Sequence, residues 1–75
     1  MPRDVLAHIT GTVWKIDAPP GTEVLEGDPV VVLESMKMEL PVEAPCAGTV
    51  TEIRVCEGQP VQEGAVVAVI DEKKA

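Results

Sequence analysis

The sequence predicts an all-β fold of eight short strands, arranged as two four-stranded antiparallel sheets in a flattened barrel or sandwich. Valine dominates the apolar residues, glycine and proline recur at intervals, and no segment has a helical period. A shift of 37 residues also brings two parts of the chain into gapless register. Two such β units cannot each bury a face alone, so we expect them to pack together about a pseudo-two-fold axis.

The internal repeat is clearest at its turns and strand openings. Gly11-Thr12-Val13 aligns with Gly48-Thr49-Val50, and Glu26-Gly27 aligns with Glu63-Gly64. Roughly ten of about two dozen positions from Gly11 onward are identical, which is well above chance in a short chain. We expect half-repeats over about residues 7–34 and 44–71, within one domain that spans residues 1–75.

The order of turn signals and apolar runs predicts each strand. The expected strands lie at about residues 4–9, 11–17, 29–35, 38–43, 48–56 and 66–71, with very short ones near Val24 and Val61. Val13 and Ile16, like Val50 and Ile53, are three residues apart, so each strand needs a bulge if both residues of a pair face inward. The alternative is that one residue of each pair faces outward. Trp14 is expected to face outward, like its repeat mate Thr51.

Size and charge exclude several classes of function. A chain of 75 residues buries only about 60% of its unfolded surface, which leaves a thin core and no room for a deep catalytic cleft. The net charge of −7 disfavours binding to nucleic acid and to anionic lipid. No apolar stretch is long enough to span a membrane, and the N-terminus lacks a signal-peptide pattern.

The cysteines and the histidine also limit the chemistry. Cys46 and Cys56 are too few to staple a secreted mini-protein, so we expect free, partly buried thiols in a reducing, cytoplasmic compartment. His8 has no visible connection to either thiol, which disfavours a catalytic cysteine. One histidine and two distant cysteines also disfavour a metal site.

The run Glu34-Ser35-Met36-Lys37-Met38-Glu39 lies where the half-repeats meet. Apolar-rich segments on both sides predict a tight hairpin with Met36 and Lys37 at its turn. Two-residue turns normally use Asn, Asp or Gly, and a local rule broken at an exposed tip indicates function. The repeat mate of Lys37 is Lys74, so we expect the turn and the chain termini at opposite ends of the barrel.

The segment from Gly27 to Met38, followed by Val42 and Ala44, resembles the attachment motif of biotinyl domains. The resemblance covers the chain from about Ala7 to Asp71. It implies a barrel-sandwich hybrid, the fold that the related lipoyl domains share. The inserted thumb loop of some bacterial carriers has no counterpart between Gly11 and Glu34. Ser35 stands where carboxylase carriers usually have alanine, which makes the chain most similar to small stand-alone biotin/lipoyl attachment proteins of the biotin carboxyl carrier type.

The resemblance implies that Lys37 carries biotin through an amide on its side-chain nitrogen. It assigns the neighbouring residues to the motif and to contact with a biotin protein ligase: Glu34, Ser35, Met36, Met38 and Glu39. A lysine in water is almost fully protonated at pH 7, so the ligase must supply both the activated acyl group and the deprotonation. The resulting arm would be on the order of 14 Å long. A biotin carboxylase and a carboxyltransferase are then the implied partners of a monomeric carrier without catalytic residues of its own.

Two other hypotheses remain open from the sequence. One is a lipoyl carrier or dual acceptor, although lipoyl domains usually present Asp-Lys-Ala rather than Met-Lys-Met at the tip. The other is an unmodified docking module, in which Lys37 is an ordinary surface residue and Trp14 is a contact. Modification by a biotin ligase, by a lipoyl ligase or by neither distinguishes a biotin carrier from these two alternatives.

Overall fold

The computed structural model describes residues 2–73, and strands are the only regular secondary structure in that range. This confirms the all-β prediction. The eight strands are β1 (Pro2–Leu6), β2 (Gly11–Ile16), β3 (Glu23–Val24), β4 (Pro29–Ser35), β5 (Met38–Glu43), β6 (Gly48–Ile53), β7 (Pro60–Val61) and β8 (Val66–Glu72). Only β3 and short turns lie between β2 and β4, so the described chain has no thumb insertion. Lys74, the expected mate of Lys37, lies outside the described residues.

The strands form two four-stranded antiparallel sheets. One has the order β1-β8-β6-β3 and is called the terminal sheet below; the other has the order β5-β4-β2-β7 and is called the hairpin sheet. Adding 37 to each residue number of β2, β3 and β4 gives β6, β7 and β8, and adding 37 to β1 gives residues 39–43, which are all of β5 except its first residue. The two sheet orders are therefore the same order with the halves exchanged. Each sheet therefore contains strands from both halves, and neither half forms a sheet alone.

The pairing registers repeat as closely as the sheet orders do. Pro2 faces Asp71 across β1 and β8, and the equivalent residues Glu39 and Glu34 face each other across β5 and β4. All six glycines form three pairs related by the same shift: Gly11 with Gly48, Gly21 with Gly58, and Gly27 with Gly64. The last four have positive φ angles between 86° and 96°. The duplication in sequence is thus a duplication of backbone geometry.

Hydrogen bonds between loops and strands join the two halves. The amide of Gly21 donates to the carbonyl of Val50 (2.7 Å), and the amide of Gly58 donates to that of Val13 (2.7 Å). Each half thus satisfies backbone groups of the other, and a buried group without a partner is costly. These bonds give a physical reason to expect that neither unit folds without the other.

β2 and β6 each contain a bulge, which was one of the two possibilities that the spacing left open. The register of β2 against β4 shifts between Val13 and Lys15, and that of β6 against β8 shifts between Val50 and Glu52. The extra residue of the first bulge is Trp14, which is 47% exposed and faces outward as predicted. Each bulge lets the two apolar residues three positions apart both reach the core.

The core lies between the two sheets and is almost wholly aliphatic. Its largest fully buried side chains are Leu33 and Ile70, which are repeat mates. The next largest fully buried side chains are valines, contributed by both halves: Val5, Val13, Val30, Val31, Val50 and Val67. No buried polar or charged side chain occurs among residues 2–73. Such a core holds the two sheets against each other by apolar burial, without buried polar side chains.

Three sequence predictions need correction. β1 starts at Pro2, which pairs with Asp71, and ends at Leu6, because the amide of Ala7 leaves the ladder and donates to the loop carbonyl of Ala65 (2.8 Å). β6 ends at Ile53 rather than near residue 56. The two thiols are free, and Cys46 is buried, but Cys56 is exposed, because it begins a turn in which its amide donates to Oε1 of Gln59 (3.1 Å).

The ends of β4 define the two ends of the molecule. Asp28, just before β4, lines a surface groove together with Asp71 and Lys73 near the C-terminus. From Pro29 the strand runs six residue steps to Ser35, about 20 Å at ~3.3 Å per step. The β4–β5 turn therefore lies at the far end from the end of β8, as the duplication predicts. Within residues 2–73 there is no helix long and apolar enough to cross a membrane.

Candidate functional site

The β4–β5 hairpin presents Lys37 at its tip. Ser35 pairs with Met38 as the last rung, so the turn consists of Met36 and Lys37 alone. Both turn residues have positive φ angles, 52° and 65°. Two successive left-handed residues are the signature of a type I′ turn, whose twist matches that of the flanking strands. The sequence prediction of a two-residue turn at these positions is confirmed.

This turn is strained by its residue types. A left-handed conformation costs a residue with a Cβ roughly 1–2 kcal/mol, which is why Asn and Gly dominate such turns. Met36 and Lys37 are the only residues other than glycine with positive φ among those the structure describes. The two residues in the turn are poor choices for its stability. Their identity therefore reflects a requirement other than hairpin stability.

Exposure at the tip is extreme. Met36 is 93% exposed and Met38 is 59% exposed, the former more than any other large apolar residue identified as exposed. Lys37 is exposed as well. Within residues 2–73 its side chain makes no hydrogen bond and no ion pair. The amine is thus held away from the body of the protein, beside two flexible apolar side chains suited to transient contacts.

Carboxylates flank the tip on the rung below it. Glu34 and Glu39 face each other directly across β4 and β5, and both are exposed. Like charges in opposed positions are destabilising, so this pair is a second feature that hairpin stability does not explain. Ser35 is half-buried and lies on the alternate face. The structure thus brings all six predicted motif residues into one hairpin, from Glu34 to Glu39.

One residue beside this hairpin was not predicted. Gly11 of β2 lies against the backbone of Glu34, with no room for a side chain between them. The only sequence signal was the repeated Gly-Thr-Val opening, which gives no hint of what the glycine contacts. The other chemistry-bearing residues are not brought together: no group of three or more His, Cys, Asp or Glu that could hold a metal ion occurs within residues 2–73. Within residues 2–73, the reactive group that this site presents is the exposed primary amine of Lys37.

Comparison with known proteins gives consistent matches over most of the chain. The family described as biotin-requiring enzyme matches residues 4–70. The biotinylated protein TB7.3 homolog of Mycobacterium leprae (strain TN) is 43% identical over 70 residues, which are 93% of this chain and 99% of that protein. The biotin/lipoyl attachment protein of Bacillus subtilis (strain 168) is 40% identical over 63 residues, 84% of this chain and 86% of that protein.

Much longer proteins match as well. Pyruvate carboxylase of Bacillus subtilis is 40% identical over 70 residues, but the chain spans only 6% of its length. Among solved structures, the urea carboxylase of Kluyveromyces lactis superimposes with a TM-score of 0.90 and 37% sequence identity, over 95% of this chain and 6% of that enzyme. The fold, the hairpin and the extent of these matches show that the chain belongs to the biotin/lipoyl attachment family of biotin-requiring enzymes.

Proposed function

We propose that the chain is a biotin carrier domain and that Lys37 is its attachment residue. The observation that carries this proposal is the exposed amine of Lys37, without a partner in residues 2–73, at a two-residue turn whose residue types are unfavourable for the turn. The similar proteins described as biotinylated or as carboxylases support biotin as the cargo. An amine at this position suits an amide link to a carboxylic acid.

The attachment step needs only the amine from this chain. Nζ of Lys37, once deprotonated, attacks the acyl carbon of an acyl-adenylate held by a biotin protein ligase. The new C–N bond forms, the bond from the acyl carbon to the phosphate oxygen breaks, and AMP leaves. The protons that nitrogen loses pass to the ligase or to solvent. Glu34, Ser35, Met36, Met38 and Glu39 are the proposed contacts for that ligase, since they surround the amine on the same hairpin.

The role of the loaded domain is delivery. Biotin, when bound, supplies the carboxyl-carrying chemistry, and the domain supplies reach and effective concentration. The aliphatic core keeps the hairpin fixed while its tip stays exposed, so the arm can enter a partner site. A biotin carboxylase and a carboxyltransferase are the proposed partners, because the chain is similar to a small segment of carboxylases. The proposal includes a monomeric carrier and a cytoplasmic location, and the two free thiols support the location.

Lipoate is the second candidate cargo. The observation in its favour is the match to a biotin/lipoyl attachment protein over 86% of that protein's length. Ser35, which stands where carboxylase carriers usually have alanine, is half-buried next to the turn and is the position to test. Met36 and Met38, on either side of Lys37, support biotin instead.

Co-expression with each ligase distinguishes the cargoes. The chain is expressed with a biotin protein ligase, and separately with a lipoyl ligase, and the modified fraction is measured by intact mass. We expect a single adduct with the biotin ligase and little or none with the lipoyl ligase. Equal modification by both would show a dual acceptor. No adduct from either enzyme would contradict the carrier function and favour an unmodified docking module.

A further inference from the structure

Gly11 occupies a position where the backbone of β2 touches the base of the Lys37 hairpin. A Cβ added there would lie 2.7 Å from the carbonyl oxygen of Glu34 and 3.5 Å from Cβ of Ser35. The first distance is shorter than real Cβ contacts, and the atom it meets belongs to the backbone. Gly11 is not among the glycines with positive φ, so the position requires glycine for space and not for conformation.

The contacts on either side decide which strand would move. β2 is held by the core through Val13, which is 1% exposed, and by its ladder with β7. The amide of Val13 also donates to the carbonyl of Gln59 (2.9 Å), and its carbonyl accepts from the amide of Gly58 (2.7 Å). β4 is anchored one residue before the contact by Leu33, which is 0% exposed, but from Glu34 to Glu39 the hairpin has no buried residue, and β5 is an edge strand of its sheet. The end of the hairpin can therefore shift away from β2 as a unit, and we expect a side chain at position 11 to displace it rather than β2.

Such a displacement reaches Lys37 directly. Ser35 and Met38 close the turn, and only Met36 and Lys37 lie beyond them. A two-residue turn has little freedom to absorb a shift, so the amine moves with the last rung. Relieving the contact at Gly11 needs a shift of about 0.5 Å, and misplacement by 1 Å can cost about 100-fold in rate, which suggests roughly tenfold here.

We propose that Gly11 is a positioning residue for the modification of Lys37. Because Gly11 has no side chain, the end of the hairpin can pack directly against β2, and this packing holds the amine of Lys37 in the position that the ligase accepts. This inference rests on the proposed carrier function and adds a determinant outside the six-residue motif. It assigns the repeated glycine of the Gly-Thr-Val segment a role in one half that its mate in the other half does not share.

The duplication provides a matched control. Gly48 is the repeat mate of Gly11 and lies in the same way against the carbonyl of Asp71, with Cγ2 of Ile70 at 2.8 Å from an added Cβ. It is buried, whereas Gly11 is partly exposed, so alanine at position 48 is expected to lower stability more. Its strain falls on the end of β8 in the terminal sheet, at the far end of the molecule from Lys37. Alanine at position 48 should therefore lower stability more, and alanine at position 11 should lower the rate of modification more.

The experiment compares Gly11→Ala and Gly48→Ala in urea unfolding and in steady-state biotinylation by a purified ligase, with acceptor concentration varied. For Gly11→Ala we expect kcat to fall roughly tenfold while KM stays within about twofold of wild type, as for a docked but misplaced amine. Gly48→Ala is expected to be the less stable variant and to keep the wild-type kcat. Val50→Ala, a core change in the same strand as Gly48, serves as a second control for lost stability.

The kinetic split separates positioning from unfolding. A partly unfolded acceptor is a smaller pool of normal substrate, so its apparent KM rises and kcat is unchanged. An osmolyte that favours folding, such as TMAO, restores modification that is lost through unfolding, but it does not restore modification that is lost because the amine is misplaced. The inference is overturned if TMAO restores Gly11→Ala to wild-type kcat, or if Gly48→Ala loses as much kcat. An unmodified wild-type chain would instead refute the carrier function itself.

Discussion

Ser35 and Met38 pair across the last rung of the β4–β5 hairpin, so Met36 and Lys37 form its turn without any other residue. This single pairing places the amine of Lys37 at the extreme tip, about 20 Å along β4 from the end of the molecule where β8 stops. It also forces two residues with a Cβ into left-handed backbone, which is the structural cost of presenting a lysine there.

Relief of this strain gives the first prediction. Met36→Asn is expected to stabilise the folded chain by about 0.5–1 kcal/mol, because Asn tolerates the left-handed conformation at the first position of a type I′ turn. Urea unfolding followed by circular dichroism measures the change. The matched control is Met38→Asn, which has no positive φ and should bring no gain. Equal effects of the two substitutions would show that turn strain is not the cause.

Charge repulsion across the hairpin gives the second prediction. Glu39→Gln removes one of two carboxylates that face each other and is expected to stabilise by about 0.5 kcal/mol at low salt. The gain should shrink in 1 M NaCl, where the Debye length is about 3 Å. Glu43→Gln is the control, because Glu43 faces Pro29 in the same strand pair. A gain independent of salt would contradict the electrostatic explanation.

The duplication gives the third prediction. Val13 and Val50 are repeat mates, both at most 1% exposed, and each lies at a bulge. Val13→Ala and Val50→Ala are therefore expected to cost about 2 kcal/mol each, with a difference of less than about 0.5 kcal/mol. Thermal unfolding of the two variants tests this. Clearly unequal costs would show that the shared register does not extend to the energetics of packing.

Much of this structure could be predicted from particular residues. The spacing of Val13 and Ile16 gave a bulge as one of two possibilities in each half, and the bulge that is present lets Trp14 face outward. The repeat centre and the turn-averse residues predicted the exposed hairpin. The local sequence pattern was sufficient for these predictions because each half contains its own strand and turn signals.

What could not be predicted depends on contacts between the halves. β1 ends where the amide of Ala7 bonds to Ala65, which is 58 positions away in the chain. Cys56 is exposed because the chain leaves the β6 ladder after Ile53, and alternation along a strand does not show where its partner stops. Gly11 was missed for the same reason. Its role depends on the carbonyl of Glu34, which only the folded chain brings beside it.

The most direct test of the central proposal identifies the modified atom. The chain and its Lys37→Arg variant are incubated with a biotin protein ligase, biotin and ATP, and the products are examined by intact mass and peptide mapping. Arginine keeps the charge at the tip but offers no amine for amide formation. We expect one adduct on the wild-type chain, mapped to Lys37, and none on the variant. An adduct that persists in Lys37→Arg, or one that maps to Lys15 or Lys73, would contradict the assignment.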